Sequence, residues 1–159
     1  MKETQSDIIF IFGENVRISR NKRGMTLKAL SQKSGYNREA LSSLEKGNRS
    51  DISLKHSLSL AKALDIDYPS LFSRNYKDTI ERPPTYLDDD FLSIYIANVK
   101  AELMRNGLYQ KAIYPRVNIE ESTVSRIFQG VTTNPRLSTL IRIAEAVNIH
   151  DIQQLLKRR

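Results

Sequence analysis

The feature that most constrains this chain is an internal repeat at a fixed offset of 83 residues. Gly24 recurs as Gly107 and Gly47 recurs as Gly130. Further identities at the same offset are Asn15-Val16 on Asn98-Val99, Lys28-Ala29 on Lys111-Ala112, Ser42 on Ser125, Leu54 on Leu137, Ala61 on Ala144, Ala63 on Ala146 and Ile66 on Ile149. Gap-free identity of this kind indicates that one structural unit occurs twice. The fold of the first copy therefore predicts the fold of the second.

The segment from Gly24 to Gly47 predicts two short helices joined by a tight turn. Two groups of inward-facing positions follow helical spacing: Leu27, Leu30 and Ser31, then Ala40, Leu41 and Leu44. Gly35 separates the groups and suits a turn that needs positive φ. Asn37 is a good N-cap for the second helix. Polar side chains on its outward face can hydrogen-bond with base edges or phosphates: Asn37, Arg38, Glu39, Ser42 and Ser43.

With an amphipathic helix before it and apolar residues at helical spacing after it, the pattern over residues 8–72 resembles the helix-turn-helix of the Cro/C1-type (XRE-like, lambda-repressor-like) family. The resemblance implies an all-α fold of two tandem five-helix domains joined by a linker that contains Pro83-Pro84. We place the N-terminal domain at residues 6–74, the linker at 75–89 and a divergent C-terminal domain at 90–159. Ser53 or Asp51 is expected to cap the fourth helix.

The resemblance also implies a structural ion pair between Arg20, late in the first helix, and Glu45, late in the recognition helix. The repeat places Leu103 and Phe128 at these two positions. Removing one partner of a buried pair strands a charge, whereas replacing both with apolar residues can be neutral. The paired change therefore predicts that the two positions touch in each copy.

The second copy departs from the first at two places. Pro115 falls within its second helix, which we expect to be short or kinked because proline removes a hydrogen bond and clashes with the preceding turn. Glu120 and Glu121 stand at the tip of its recognition helix, where carboxylates can accept from cytosine N4, repel phosphates or simply favour a helix N-terminus. Direct DNA contact by the second domain and a scaffold or interaction role both stay open.

The distribution of charge favours a polyanionic partner. Residues 1–75 and 91–159 each carry a net charge of +5, whereas residues 76–90 carry −3. Within the acidic segment, Asp88-Asp89-Asp90 is interpreted as a helix N-terminus rather than a metal cluster, because consecutive carboxylates point in different directions. The chain has no Cys, so no disulfide or thiolate metal site is expected. We expect a cytoplasmic, nucleoid-associated protein with no membrane span.

Two sets of DNA contacts are predicted by the resemblance. Phosphate contacts are assigned to Lys28, Arg49, Lys55, Lys111, Thr132 and Arg136. Base contacts are assigned to Asn37, Arg38, Glu39, Ser42 and Ser43 in the first copy, and to Glu121, Ser122, Ser125 and Arg126 in the second. Each basic residue can alternatively be an ordinary surface charge, and Asn37 a helix cap only.

These features predict a sequence-specific regulator of transcription that binds double-stranded DNA with recognition helices in the major groove. One chain can supply both recognition helices, or two chains can form a homodimer that presents four. The alternative is a protein-interaction regulator, an antirepressor or adaptor, whose second domain binds RNA polymerase or another regulator instead of DNA. His56 and His150 have no partner at metal-ligand spacing and no phosphate-binding glycine loop is present, so neither catalysis nor a cofactor is expected.

Overall fold

The chain folds as two copies of one helical unit. The computed structural model describes residues 5–49, 51–76 and 90–157. The first copy contains α1 (Gln5–Lys22), α2 (Leu27–Ser34), α3 (Arg38–Glu45), α4 (Leu54–Ala63) and a 3₁₀ helix (Tyr68–Phe72). The second contains α5 (Phe91–Arg105), two 3₁₀ turns (Gln110–Ala112 and Tyr114–Arg116), α6 (Glu121–Phe128), α7 (Leu137–Ala146) and α8 (Gln153–Leu156). Across the described ranges the regular elements are helical, so the predicted all-α fold is confirmed.

Pro69 and Pro115 have different effects on the helical structure around them. Pro69 lies within the first turn of the 3₁₀ helix that ends the first copy, because a proline at a helix start loses no hydrogen bond. Pro115 does more than kink its helix: the segment forms two three-residue 3₁₀ turns in place of an α-helix. Residues 77–89 of the predicted linker, with Pro83-Pro84, Asp88 and Asp89, lie outside the described ranges. Asp90 caps α5 as expected, since its carboxylate accepts from Ser93 N at 3.1 Å.

The repeat extends to the backbone conformation of its turns. Gly24 and Gly107 both have φ of 65°, a left-handed conformation that glycine adopts without steric cost. After the fourth helix of each copy, Asp65 and Asn148 occupy the same region at 53° and 62°. Residues of these two types tolerate it better than other non-glycine residues. The turns that follow the first and fourth helices are therefore the same in both copies.

A buried asparagine closes each copy by joining its first helix to its last element. Asn15 donates through Nδ2 to the carbonyl oxygens of Leu71 at 2.9 Å and Ser73 at 2.8 Å. Asn98, its counterpart, makes the same two bonds at 2.9 Å to the carbonyls of Leu155 and Lys157. These bonds satisfy backbone acceptors that lack helical partners. They also show that the offset becomes 84 residues beyond the fourth helices.

The two copies pair through reciprocal backbone hydrogen bonds. Leu54 N donates to Pro135 O at 2.9 Å. The bond between the counterparts, from Leu137 N to Ile52 O, is also 2.9 Å. A contact that recurs with the partners exchanged is the signature of two-fold symmetry. The two copies are therefore related by a pseudo-two-fold axis within one chain.

Two self-equivalent contacts place this axis. Ser53 and Arg136, which are counterparts, face each other in an antiparallel bridge. Gln153 Nε2 donates to Pro69 O at 2.7 Å, and these residues are counterparts at the later offset. A position that touches its own counterpart lies on or beside the axis. The axis thus runs from the Ser53–Arg136 bridge to the Pro69–Gln153 contact.

Each copy also provides a side chain that caps the fourth helix of the other copy, as the symmetry requires. Asp51 accepts from Ser138 N at 3.1 Å and from Ser138 Oγ at 2.5 Å, at the start of α7. Asn134, the counterpart of Asp51, accepts through Oδ1 from Lys55 N at 2.8 Å, at the start of α4. Ser53 caps its own helix, since its hydroxyl accepts from the backbone N of α4 at 3.3 Å. The prediction that Ser53 or Asp51 caps α4 is thus confirmed, and the cap is Ser53.

One hydrophobic core continues through both copies. Tyr68 of the first copy and Phe91 of the second pack with ring centroids 5.1 Å apart. Burial of the Tyr68 hydroxyl raises its pKa, although Ser57 Oγ lies 2.7 Å away. The copies therefore support each other through apolar burial as well as through the hydrogen bonds at the axis.

The exchanged caps give a prediction of stability. Asp51→Ala should lower the free energy of unfolding by about 1–2 kcal/mol, because it leaves the start of α7 without its acceptor. Asp51→Asn should cost less than about 0.5 kcal/mol, because an amide oxygen already fills this role at Asn134. Urea unfolding curves of both variants measure the difference. Equal losses in the two variants would show that the carboxylate does not act as a cap.

Candidate nucleic-acid interface

The recognition helix α3 is fixed at its start and along its inner face. Gly35 turns the chain with φ of 77°, and Asn37 Oδ1 accepts from Ala40 N at 3.0 Å. Leu41 and Leu44 are fully buried. The amphipathic pattern therefore leaves the first turn of α3, with Arg38, exposed to solvent.

The C-terminal end of α3 is bound to α1 by a bidentate ion pair. Arg20 Nε and Nη2 each lie 2.8 Å from a different carboxylate oxygen of Glu45. Arg20 Nη1 also donates to Met25 O at 2.8 Å. Only 4% of the Glu45 side chain is exposed, and its hydrogen bond raises the pKa of Arg20. The paired arginine thus stays charged and fixes the orientation of α3 relative to α1.

A glycine allows α1 and α3 to approach closely. A Cβ added to Gly13 would lie 2.2 Å from the carbonyl oxygen of Leu44, well inside van der Waals contact. The second copy has Ile96 at this position, and its Leu103 and Phe128 replace the ion pair as buried apolar residues. Both positions of the ion pair are therefore buried and apolar in the second copy, and contact between Leu103 and Phe128 stays a prediction.

The predicted contact residues of the first copy lie at or near the surface. The exposed ones are Asn37, Arg38, Glu39, Lys28, Arg49 and Lys55. Ser42 and Ser43 are half-buried. Lys28 stands in the first turn of α2, whose N-cap Thr26 accepts from Ala29 N at 3.0 Å. Arg49 donates through Nη1 to the hydroxyl of Tyr36 at 3.4 Å.

The predicted contact residues of the second copy also lie at or near the surface. Glu121, Ser122, Arg126, Lys111 and Arg136 are exposed, whereas Ser125 and Thr132 are half-buried. Lys111 lies in a 3₁₀ turn with Nζ 5.9 Å from the ring centroid of Tyr109. Arg136 is the N-cap residue of α7 and makes no side-chain cap hydrogen bond. A guanidinium has only donors and cannot cap a helix N-terminus, and the Arg136 side chain is exposed to solvent.

A groove of about 550 Å³ brings residues of the two copies together, and we call it the central groove. Its first-copy wall includes Asn37, Ala40 and Arg49, and its second-copy wall is Asn134 and Arg136. The start of the recognition helix thus lies near the Ser53–Arg136 end of the pseudo-two-fold axis. Three predicted contact residues, Asn37, Arg49 and Arg136, share this surface. Lys28, Lys111 and Arg126 do not line it.

Three groups of contacts were not predicted from the sequence. Tyr36 is buried beneath the central groove, with its ring 4.9 Å from that of His56. Asp51 and Asn134 make the exchanged caps, although the sequence offers only their shared offset of 83 as a signal. The identity of Asn15 and Asn98 was visible, but their bonds to the chain ends were not. Such contacts can be predicted only when the tertiary arrangement of the helices is known.

The fold and this site define a tandem helix-turn-helix protein. A helix-turn-helix family model, HTH_3, matches residues 16–71 and again residues 99–151. The chain therefore belongs to the Cro/C1-type helix-turn-helix family, a family of DNA-binding transcription regulators. No curated protein and no solved structure matches it significantly. Among the described helices, none has the length and apolar character needed to cross a membrane.

The ion pair behind α3 predicts a strongly coupled double substitution. Arg20→Leu alone should cost about 3–5 kcal/mol of unfolding free energy, because it leaves the buried Glu45 carboxylate without its partner. Arg20→Leu combined with Glu45→Phe, which copies the second repeat, should recover most of that loss. Denaturant unfolding of the single and double variants measures the coupling.

Arg17→Leu provides a matched control, since Arg17 and Glu14 form an ion pair in which both side chains are 44% exposed. It should change stability little, because solvent screens such a pair. Losses that simply add in the Arg20 and Glu45 variants would contradict the proposed coupling.

Proposed function

We propose that this chain is a sequence-specific transcriptional regulator that binds double-stranded DNA with both recognition helices supplied by one molecule. The observation that carries the proposal is the position of the α3 tip beside the Ser53–Arg136 end of the pseudo-two-fold axis. A two-fold rotation keeps the height of every element along its axis. It therefore brings α6 to the same end of the molecule as α3.

This arrangement suits the geometry of a DNA duplex. Dimers of helix-turn-helix proteins place two recognition helices about one DNA turn apart, and the protein symmetry mirrors that of the site. Here the reciprocal bonds between Leu54 and Pro135 and between Leu137 and Ile52 do within a chain what a dimer interface does between chains. The exposed side chains of the first turn of α3 suit entry into the major groove.

The proposed complex contains one chain and one DNA site. Because each copy already pairs with the other, the predicted homodimer is not needed to provide two recognition helices. A homodimer would present four of them over a longer site, and the mass of the complex in light scattering distinguishes the two forms.

A second candidate function is supported by the second copy. Glu120 and Glu121 are exposed at the tip of α6, where carboxylates repel the phosphates of an approaching duplex. In this alternative the second copy binds RNA polymerase or another regulator while the first copy holds the DNA. The two functions differ in whether substitutions on α6 alter DNA affinity at all.

Arg38 provides the most direct test of DNA reading. Its planar guanidinium can grip O6 and N7 of a guanine, so Arg38→Ala should cost about 1–3 kcal/mol on a selected site and relax one base position. The site is obtained by selection and sequencing from duplexes with a random core of about 30 bp, which covers two half-sites one DNA turn apart. Fluorescence anisotropy then compares the selected and random duplexes.

Lys100→Ala serves as the control, because Lys100 is an exposed lysine on α5 outside the central groove. It should preserve the preference for the selected duplex. An equal loss of affinity for selected and random DNA in Arg38→Ala would remove Arg38 from base recognition. Failure of the full chain to enrich any motif would contradict the proposed function.

A further inference from the structure

We infer that the two recognition helices are unequal, and that the specific DNA site is read by α3 together with Arg136, which the second copy contributes across the pseudo-two-fold axis. In this inference α6 holds the duplex without selecting its sequence. The target is then a single asymmetric DNA site and not a palindrome. This site extends from the bases that α3 contacts towards the pseudo-two-fold axis of the protein. The inference rests on the proposed function, because it specifies which DNA that function requires.

The first step is the composition of the central groove. Arg136 lines this groove together with Asn37 and Arg49, although it belongs to the other copy. It is exposed, and it occupies the N-cap position of α7. A basic residue beside the recognition helix can reach the bases or phosphates next to those that α3 contacts. The surface that contacts the DNA around α3 is therefore incomplete without the second copy.

The second step is that the symmetry is broken at the axis itself. The counterpart of Arg136 is Ser53, a short neutral side chain. Its hydroxyl accepts from His56 N at 3.3 Å and lies 3.1 Å from His56 Nδ1. The surface beside α6 therefore receives no cation from the first copy at this position. Of these two counterparts only Arg136 is a cation, and it lines the central groove with the start of α3.

The third step is the tip of α6. At the offset of the repeat, Glu120 replaces Asn37 and Glu121 replaces Arg38. Asn37 caps its helix through a side-chain hydrogen bond, whereas Glu120 makes none. The first copy thus presents a cation at the position where the second presents an anion. A carboxylate there opposes close approach to the phosphates that line the major groove.

The fourth step is the loss of an anchoring helix. In the first copy α2 has eight residues and a Thr26 cap, and a capped helix N-terminus with its free N–H groups favours phosphate. In the second copy 3₁₀ turns replace it, and Tyr109 provides no side-chain cap. Arg116, the counterpart of the exposed Lys33, donates to Ala146 O at 2.9 Å and so stabilises the end of α7. In this inference Lys111 keeps its predicted phosphate role, whereas Arg126, which the sequence assigned to base contact, contacts phosphate instead.

Parallel selections with the full chain test this inference. The wild-type protein, Arg136→Ala, Arg136→Lys, Arg126→Ala and the control Lys100→Ala are each applied to the random duplex pool, after circular dichroism has shown that they fold. Arg136→Lys keeps the charge but loses the planar fork of the guanidinium. It therefore separates base recognition by Arg136 from simple phosphate attraction.

The wild-type protein should enrich one non-palindromic motif. Both Arg136 variants should lose base preference at the end of this motif that lies nearest the pseudo-two-fold axis of the bound protein. They should keep the base preferences of the rest of the motif. Arg126→Ala should lower affinity by a similar factor on selected and random duplexes without altering the motif, as a phosphate contact does. Lys100→Ala should match the wild type.

Two results would overturn the inference while leaving the proposed function intact. One is a palindromic wild-type motif of which Arg126→Ala erases one half. The other is an unchanged motif in both Arg136 variants. If no protein, the wild type included, enriches a motif, then the inference and the proposed function both fail.

Discussion

The reciprocal pairing of residues 52–55 with residues 135–138 is the interaction on which the rest of the structure depends. Its two backbone bonds, both 2.9 Å long, orient the fourth helices, and Asp51 and Asn134 cap those helices in exchange. Such bonds contribute little individually because they replace bonds to water. They are directional, however, whereas the apolar core that surrounds them is not. The pairing therefore sets where each recognition helix lies relative to the other.

Each copy keeps the same scaffold but attaches its recognition helix differently. In the first, Gly13 allows a close helix contact and the Arg20–Glu45 pair fixes the end of α3. In the second, buried Leu103 and Phe128 replace the ion pair. Charged and apolar solutions can have similar stability when both partners change together. A duplicated fold can thus keep its stability while one copy loses a buried ion pair.

The sequence predicted the elements well because they depend on local patterns. Helical spacing, caps and the shared offset were sufficient for α1, α3, α4 and the ion pair. The effect of Pro115 was underestimated, since its local sequence does not reveal that two 3₁₀ turns replace the helix. The pairing of the copies was not predicted, because Asp51 and Asn134 are different residue types. Their hydrogen-bond partners, Ser138 and Lys55, are also 87 and 79 residues away in the sequence. The position of Arg136 in the central groove follows from that pairing.

The most direct test of the intramolecular pairing is a disulfide between positions 53 and 136. Facing residues of a non-hydrogen-bonded antiparallel pair have Cα atoms about 4.5 Å apart, which suits a disulfide. The chain has no Cys of its own, so Ser53→Cys with Arg136→Cys adds the only two thiols. After mild oxidation, the account predicts a cross-linked monomer on a denaturing gel, which reducing agent reverts. Cross-linked dimers alone, or free thiols in the folded protein, would contradict it.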